Sequence, residues 1–170
     1  MADNLTPKLE DYLEAIYRIE REKRVARPRD ICRDRAVAGS TVTAALQSLA
    51  EKKLINYQPY EVVTLTDDGR RKAEQIFARR LIVGDFLGDV LGLEARLASR
   101  TACEMEHAID TEVLQRFVCF LAFLKRHSRH GNRWLADFRQ FLDETVDGRS
   151  CEQCVREYME EFGGRDSAGA

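Results

Sequence analysis

The chain has 170 residues, of which 33% are charged and 44% hydrophobic, a balance typical of a soluble globular protein with one or two small domains. No N-terminal apolar segment resembles a signal peptide, and the most apolar run, residues 117–124, is too short to span a bilayer. We therefore expect a cytoplasmic protein with no membrane partner. The five cysteines are an odd number, which favours free thiols or metal ligands over a disulfide framework.

The net charge of −2 conceals an uneven distribution. Residues 21–80 carry +6, whereas residues 1–20 carry −3 and residues 81–170 carry −5. A basic excess in one segment favours contact with phosphate groups. A basic face in contact with solvent only would have the same composition.

The first predicted element is an amphipathic helix with an acidic edge. Its apolar residues recur at helical spacing; they are Leu9, Tyr12, Leu13, Ile16 and Tyr17. Asp11 and Glu14 are three residues apart, so both carboxylates lie on one face and could bind one cation, with Glu10 beside them. The alternative is an acidic face that contacts only solvent.

Residues 26–66 have the pattern of a winged helix-turn-helix. A short amphipathic helix at residues 29–35, with Pro28 in its first turn, precedes a turn of small residues and a second helix at residues 40–52. This second helix has an apolar face that we expect in the core; it consists of Val42, Ala45, Leu46 and Leu49. Two strands joined by a tight turn at residues 58–61 follow, and together they form the wing.

The opposite face of the second helix is polar and uncharged, which suits a helix that approaches base edges in the major groove. The candidate base-reading residues are Ser40, Thr41, Thr43 and Gln47. The candidate phosphate-binding residues are Arg27, Arg29, Lys52 and Lys53. The alternative is a helical hairpin followed by a β-hairpin, with no role in binding nucleic acid.

The segment after the wing is predicted to be helical and to pair with a second copy of the chain. Thr66 is expected to cap a helix that begins near Arg70. Residues 81–124 contain more large apolar residues than a small monomer can cover. We therefore predict a homodimer.

A triplet within this segment has the spacing of metal ligands. Cys103, Glu106 and His107 stand at i, i+3 and i+4, so a thiol, a carboxylate and an imidazole share one helical face and could bind a divalent metal. The alternative is a buried thiol beside an ion pair on the helix surface.

The C-terminal part contains a second candidate metal site. His127 and His130 form an HxxH motif, and Cys151 and Cys154 form a CxxC motif, with one amphipathic helix between them. Two nitrogens and two sulfurs would complete a tetrahedral structural zinc site. Solvated histidines and a pair of free thiols or a redox couple are the alternatives.

These patterns predict a mainly α fold, with an N-terminal winged helix-turn-helix followed by an all-helical dimerisation domain. We expect the DNA-binding domain at residues 1–75 and the metal-binding and dimerisation domain at residues 76–126. A helical extension at residues 127–162 and a disordered tail at residues 163–170 would follow.

Over residues 5–124 the chain resembles the diphtheria-toxin-repressor family, which includes the manganese-transport regulators. The resemblance rests on three motifs in the family's order and spacing: LEDYLEAIY, RDICRDRAVAGSTVTAALQSLAEKKLINYQPYEVVTLTDDGR and CEMEHAIDTEVL. It implies a dimeric repressor that binds operator DNA when a divalent transition metal, iron or manganese, lies between the first helix and the dimerisation helices. The family's additional SH3-like domain does not fit in the residues after Leu124.

The resemblance also implies the residues of the main metal site. By position they are Asp11, Glu14, Cys103, Glu106 and His107. Asp11 matches the manganese-type members and Cys103 the iron-type members. This mixture leaves the metal open, because carboxylates suit manganese whereas a thiolate favours iron, cobalt, nickel or zinc.

One departure from the family leads to a second functional hypothesis. Arg80 stands where the family has a histidine ligand, and Gly84 and Ser99 stand at two positions of the iron-type ancillary site. An arginine near Asp11 or Glu14 could supply permanently the charge that a metal supplies reversibly. The alternatives to a metal-dependent repressor are therefore a metal-independent or redox-sensing winged-helix repressor, or a thiol or metal enzyme. The chain has no phosphate loop and no HExxH motif, which argues against the enzyme.

Overall fold

Helices dominate the architecture, as the sequence predicts. The computed structural model describes residues 5–58, 61–127, 133–146 and 149–162. The elements are α1 (Pro7–Lys23), α2 (Pro28–Arg35), α3 (Gly39–Glu51), β1 (Ile55–Asn56), β2 (Thr64–Leu65), α4 (Asp67–Asp85), α5 (Ala95–Met105), α6 (Thr111–His127), α7 (Arg133–Val146) and α8 (Cys151–Phe162). One π-helical turn, Phe86–Val90, follows α4 directly.

The first three helices and the base of the wing share one hydrophobic core. All four apolar residues predicted for α3 are buried in it. Leu13 and Ile16 of α1 and Ile31 of α2 are fully buried against them. The predicted helix-turn-helix arrangement is therefore confirmed, and α1 packs against both of its helices.

The wing has less regular strand structure than the sequence predicts. β1 and β2 have two residues each and pair antiparallel, with Ile55 opposite Leu65 and Asn56 opposite Thr64. An isolated bridge joins Val63 to Ala26, two residues before α2 begins. The wing is thus held to the chain that enters the helix-turn-helix, a contact that local patterning does not reveal.

α4 connects the wing to the C-terminal helices. Thr66 caps it, since its hydroxyl oxygen accepts a hydrogen bond from the Gly69 amide at 3.0 Å and its hydroxyl donates to the Lys53 carbonyl at 2.8 Å. The helix begins at Asp67, earlier than the predicted start near Arg70, because Thr66 is itself the capping residue. α4 is continuous across the predicted domain boundary after residue 75.

The C-terminal helices bury little of their apolar surface within one chain. Two small clusters form where α4 and its π-helical turn meet α5 and α6. Several large apolar residues of α4, α5, α6, α7 and α8 are exposed: Leu81, Leu97, Val113, Val118, Phe123, Trp134, Phe141, Val155, Tyr158 and Met159. Among the described residues, no helix is both long enough and apolar enough to cross a membrane.

The first turn of α4 lies directly against the backbone at the start of the wing. A Cβ atom on Gly69 would lie 1.8 Å from the Leu54 carbonyl oxygen, so a side chain cannot be accommodated without a shift of the backbone. We expect Gly69→Ala to lower the free energy of unfolding by about 1–3 kcal/mol or more. Urea unfolding measures this change.

Gly39→Ala is the matched control. No described atom lies within 4 Å of a Cβ placed on Gly39, and alanine is the better helix former by up to about 1 kcal/mol. Equal stability losses in the two variants would contradict the close contact at Gly69.

Candidate metal centre

The acidic edge of α1 faces the C-terminal end of α5. α5 ends at Met105, and Glu106 is its C-cap with helical backbone angles, so the predicted thiol, carboxylate and imidazole still lie on one side. Glu106 is 1% exposed. The structure therefore brings Cys103, Glu106 and His107 to the face of α1 that carries Asp11.

The distances between these side chains define a compact cluster. His107 Nε2 lies 3.7 Å from Asp11 Oδ1, and Cys103 Sγ lies 3.5 Å from the same oxygen. His107 Nδ1 lies 2.9 Å from Glu10 Oε2 and 3.5 Å from Glu106 Oε1. Ligand atoms of Glu10, Glu106 and His107 all lie within 4.8 Å of one another.

Glu10 is the member of the cluster that the sequence analysis left out of the ligand set. It precedes Asp11 and stands four residues before Glu14, so helical spacing places it beside both on the α1 surface. Only the position of α5 relative to α1 brings His107 to it. The proximity of Glu10 to Asp11 in sequence was the available signal.

Arg80 of α4 lies between the acidic residues of α1. Its Nη2 donates a 2.7 Å hydrogen bond to Asp11 Oδ1, and its Nη1 donates a 2.9 Å bond to Glu14 Oε2. Nη2 is also 3.6 Å from Glu106 Oε1. Glu14, which is 2% exposed, thus has a guanidinium partner.

The electrostatics follow from this arrangement. Burial alone would raise the pKa of Asp11, but the hydrogen bond from Arg80 and the charge of Arg35 outweigh it, and its pKa lies below the usual value. Burial raises the pKa of Glu106 despite the opposing charges of His107 and Arg80. Burial also raises the pKa of the Cys103 thiol, which counts against Cys103 as a reactive redox thiolate.

The donor set fits a divalent transition metal. Carboxylate oxygens, an imidazole nitrogen and a thiol are all ligands of such ions. Among the described residues, Glu106 Oε1 is a buried acceptor with no hydrogen-bond partner, and native structures rarely leave such an atom unsatisfied. Of the described residues, Glu106 and His107 together with Glu10 have ligand atoms close enough to one another to hold a cation. Asp11 and Cys103 lie beside His107.

A second arginine fixes the loop that carries the imidazole. Arg79 Nη2 donates hydrogen bonds to the main-chain oxygens of Glu106 at 3.0 Å and Ile109 at 2.7 Å. These carbonyls lie at the end of α5, where no further helical turn is available to them. Arg79 and Arg80 thus bind the two sides of the same cluster from adjacent positions on α4.

Three of the predicted DNA-binding residues share one concave surface. Arg27, Arg29 and Thr43 line one concave surface together with Tyr57 and Glu61. Ser40, Gln47 and Lys53 are exposed, and Thr41 and Lys52 are half-buried. The Thr43 hydroxyl donates to the Gly39 carbonyl at 3.0 Å within its own helix.

Two family models match successive parts of the chain. One, described as "Iron dependent repressor, N-terminal DNA binding domain", matches residues 4–63. The other, described as "Iron dependent repressor, metal binding and dimerisation domain", matches residues 66–135. An uncharacterized HTH-type transcriptional regulator of Methanocaldococcus jannaschii is 33% identical over 122 residues, which are 71% of this chain and 98% of that protein.

The chain belongs to the iron-dependent repressor family. This family consists of transcriptional regulators rather than enzymes. Another relative, the transcriptional regulator MntR of Escherichia coli O157:H7, is 37% identical over 66% of this chain and 72% of its own length.

Solved structures in the family have the same fold. A manganese-dependent transcriptional repressor in complex with manganese superimposes with a TM-score of 0.62 and 28% identity, over 68% of this chain and 53% of that one. The manganese regulator SloR gives a TM-score of 0.62 at 23% identity, over 70% of this chain and 55% of its own. The chain thus spans about half the length of these structures.

The family models do not cover most of α7 or any of α8. The matched residues end at residue 135, near the start of α7. Cys151 is exposed and Cys154 half-buried on α8, and both are free thiols. The side chain of His127 and the whole of His130 lie outside the described residues, so the zinc site stays a prediction.

Removal of Arg80 should destabilise the family fold in this chain. Arg80→Ala would leave buried Glu14 with one guanidinium partner, Arg18 at 3.4 Å, instead of two, and removal of one partner of a buried ion pair costs on the order of 3 kcal/mol. We expect a loss of this size in urea unfolding with chelator present. Arg100→Ala, at an exposed position of α5, should change stability by about 0.5 kcal/mol or less.

Proposed function

We propose that the protein is a cytoplasmic, metal-responsive repressor that binds operator DNA as a homodimer when a divalent iron or manganese ion is bound. The observation that carries the proposal is the position of the centre. Asp11 belongs to the N-terminal unit, whereas Cys103, Glu106 and His107 belong to the part that matches the dimerisation model. A cation held by both parts would fix the orientation of one relative to the other.

The proposed ligands are Asp11, Cys103, Glu106 and His107, with Glu14 able to join them if Arg80 moves away. The bound ion would supply the positive charge that draws these donors together. Arg80 already donates hydrogen bonds to Glu14 and to Oδ1 of Asp11. Its positive charge reduces the net negative charge that is available to the metal. Carboxylates favour Mn²⁺, and the thiol favours Fe²⁺ over Mn²⁺.

The homodimer accounts for the exposed apolar residues of the C-terminal helices. α6 alone leaves Val113, Val118 and Phe123 exposed by 43–50%. Further large apolar side chains are exposed on α4, α5, α7 and α8, and an extended apolar surface is typical of a protein–protein interface. A second copy of the chain would bury it and present two α3 helices to successive major grooves.

The metal requirement is tested by operator affinity with and without chelator. With DNA from upstream of its own gene as probe, we expect affinity to fall at least 100-fold, about 2.7 kcal/mol, when Mn²⁺ or Fe²⁺ is removed. Glu106→Gln should abolish this dependence, because it removes a charged donor from the centre. Glu104→Gln, two residues earlier and exposed, should retain the metal dependence.

The DNA-binding face is tested by the salt dependence of binding. Arg27 and Arg29 are exposed and form no ion pair with another described residue. Each phosphate contact contributes about one unit to the slope of log K against log salt. Arg27→Gln should therefore lower the slope by about one, whereas Arg116→Gln, at an exposed position of α6, should not. An unchanged slope in both variants would contradict the assignment.

Thr43→Ala should instead change the preferred DNA sequence.

A second candidate function is favoured by the contacts of Arg80. The guanidinium is bonded to both acidic residues of α1 without any metal, so it could hold the DNA-binding orientation permanently. The protein would then repress with little metal dependence. Its test is the same chelator experiment, because a loss of less than about threefold would favour this candidate, and a loss of 100-fold or more, about 2.7 kcal/mol, would exclude it.

The variant Arg80→His separates the two candidates further. It removes the permanent charge and introduces a histidine, the residue that serves as a metal ligand at this position in the family that the chain resembles. If Arg80 substitutes for a metal, operator binding of this variant should become metal-dependent while the wild type is not. If both proteins respond to Mn²⁺ equally, Arg80 does not replace the ion.

A further inference from the structure

The contact between Glu10 and His107 joins the first turn of α1 to the residues that follow α5. Glu10 Oε2 lies 2.9 Å from His107 Nδ1, a hydrogen-bond distance. Both side chains are largely shielded from solvent, with 21% and 14% of their surfaces exposed. α1 and α5 both pack against α4, which sets the distance between the two side chains.

The two ring nitrogens of His107 face different groups. Nδ1 faces Glu10 and, at 3.5 Å, Glu106 Oε1. Nε2 faces Asp11 Oδ1 at 3.7 Å, and Cys103 Sγ lies beside that same oxygen. A neutral imidazole has one N–H donor and one nitrogen with a free lone pair, and the neighbouring acceptor decides which nitrogen holds the proton.

We propose that Glu10 is a positioning residue for His107 rather than a metal ligand. Its carboxylate accepts a hydrogen bond from Nδ1–H, fixes the tautomer and the ring orientation, and leaves the lone pair of Nε2 directed towards Asp11 and Cys103. Carboxylates have this role beside many metal-binding histidines. The inference rests on the proposed metal-responsive function and adds to it the identity of the ligating nitrogen.

The competing arrangement uses the opposite nitrogen. Glu10, Glu106 and Nδ1 are close enough together to hold one ion directly. That ion would lie away from Asp11 and Cys103, and the N–H of Nε2 would then point at Asp11. The two arrangements therefore differ in whether Glu10 needs a negative charge or only a hydrogen-bond acceptor.

Mn²⁺ affinity of the full chain distinguishes them. In Glu10→Gln the amide oxygen can still accept from Nδ1–H, so affinity should fall by less than about tenfold, whereas Glu10→Ala should lose about 10–100-fold. Glu106→Gln gives the loss expected for removal of a ligand charge. A loss in Glu10→Gln as large as in Glu106→Gln would overturn the proposal.

The tautomer is measured separately, on the protein with chelator present. With ¹⁵N-labelled histidine, and at a pH where the ring is neutral, we expect the His107 proton on Nδ1, and a shift towards the Nε2–H form in Glu10→Ala. The chain has three histidines, and loss of signals in His107→Gln assigns the ring. A proton on Nε2 in the wild type would overturn the proposal even if Mn²⁺ binds.

The two readouts also separate failure of this inference from failure of the proposed function. If the wild type binds neither Mn²⁺ nor Fe²⁺, the metal-responsive function fails, and Glu10 cannot position a metal ligand. If the ions bind and the tautomer is the opposite one, only the role of Glu10 fails.

Discussion

The carboxylate of Asp11 is the contact on which the relative position of the helices depends. Its Oδ2 accepts from Arg35 at the end of α2, and its Oδ1 accepts from Arg80 of α4 and lies beside Cys103 of α5. One side chain of α1 thus touches three other helices. A charged group in partial burial is stable only when such partners surround it, so these helices cannot separate without exposing an unpaired carboxylate.

The same constraint explains the adjacent arginines of α4. Buried Glu14 and Glu106 add two further carboxylates to the region, and Arg79 and Arg80 supply the opposing charge from one helix. Without a metal the carboxylates of this centre are held mainly by arginine, and one buried oxygen of Glu106 accepts no hydrogen bond from a described residue. Whether a metal adds to this network or replaces part of it is the functional question for this member of the family.

Much of the fold could be predicted from local patterns, because the deciding signals are local. The apolar face of α3 and the capping by Thr66 each depend on residues within a few positions of one another. The spacing of Cys103, Glu106 and His107 indicated a shared face for the same reason. The proximity of Arg80 to Asp11 and Glu14 was expected only because the family resemblance placed residue 80 near the site.

Other features depend on tertiary packing and were not predicted. Glu10 joins His107 across 97 positions of sequence, and a bridge joins Ala26 to Val63 of the wing. The π-helical turn after α4 follows an apolar run that has no distinct signature. For Glu10 and Ala26 the partner comes from a distant segment, whose position is fixed by the core and not by local sequence.

α4 has one mechanical property that follows from its contacts at both ends. Between Gly69 and Arg80 the helix is unbroken and about 16 Å long at 1.5 Å per residue. At Gly69 it packs directly against the Leu54 backbone, with no space for a side chain between them. The helix cannot move towards Leu54 at this point without displacing that backbone. A tilt of α4 at Arg80 would therefore also displace the Leu54 backbone, where the wing begins.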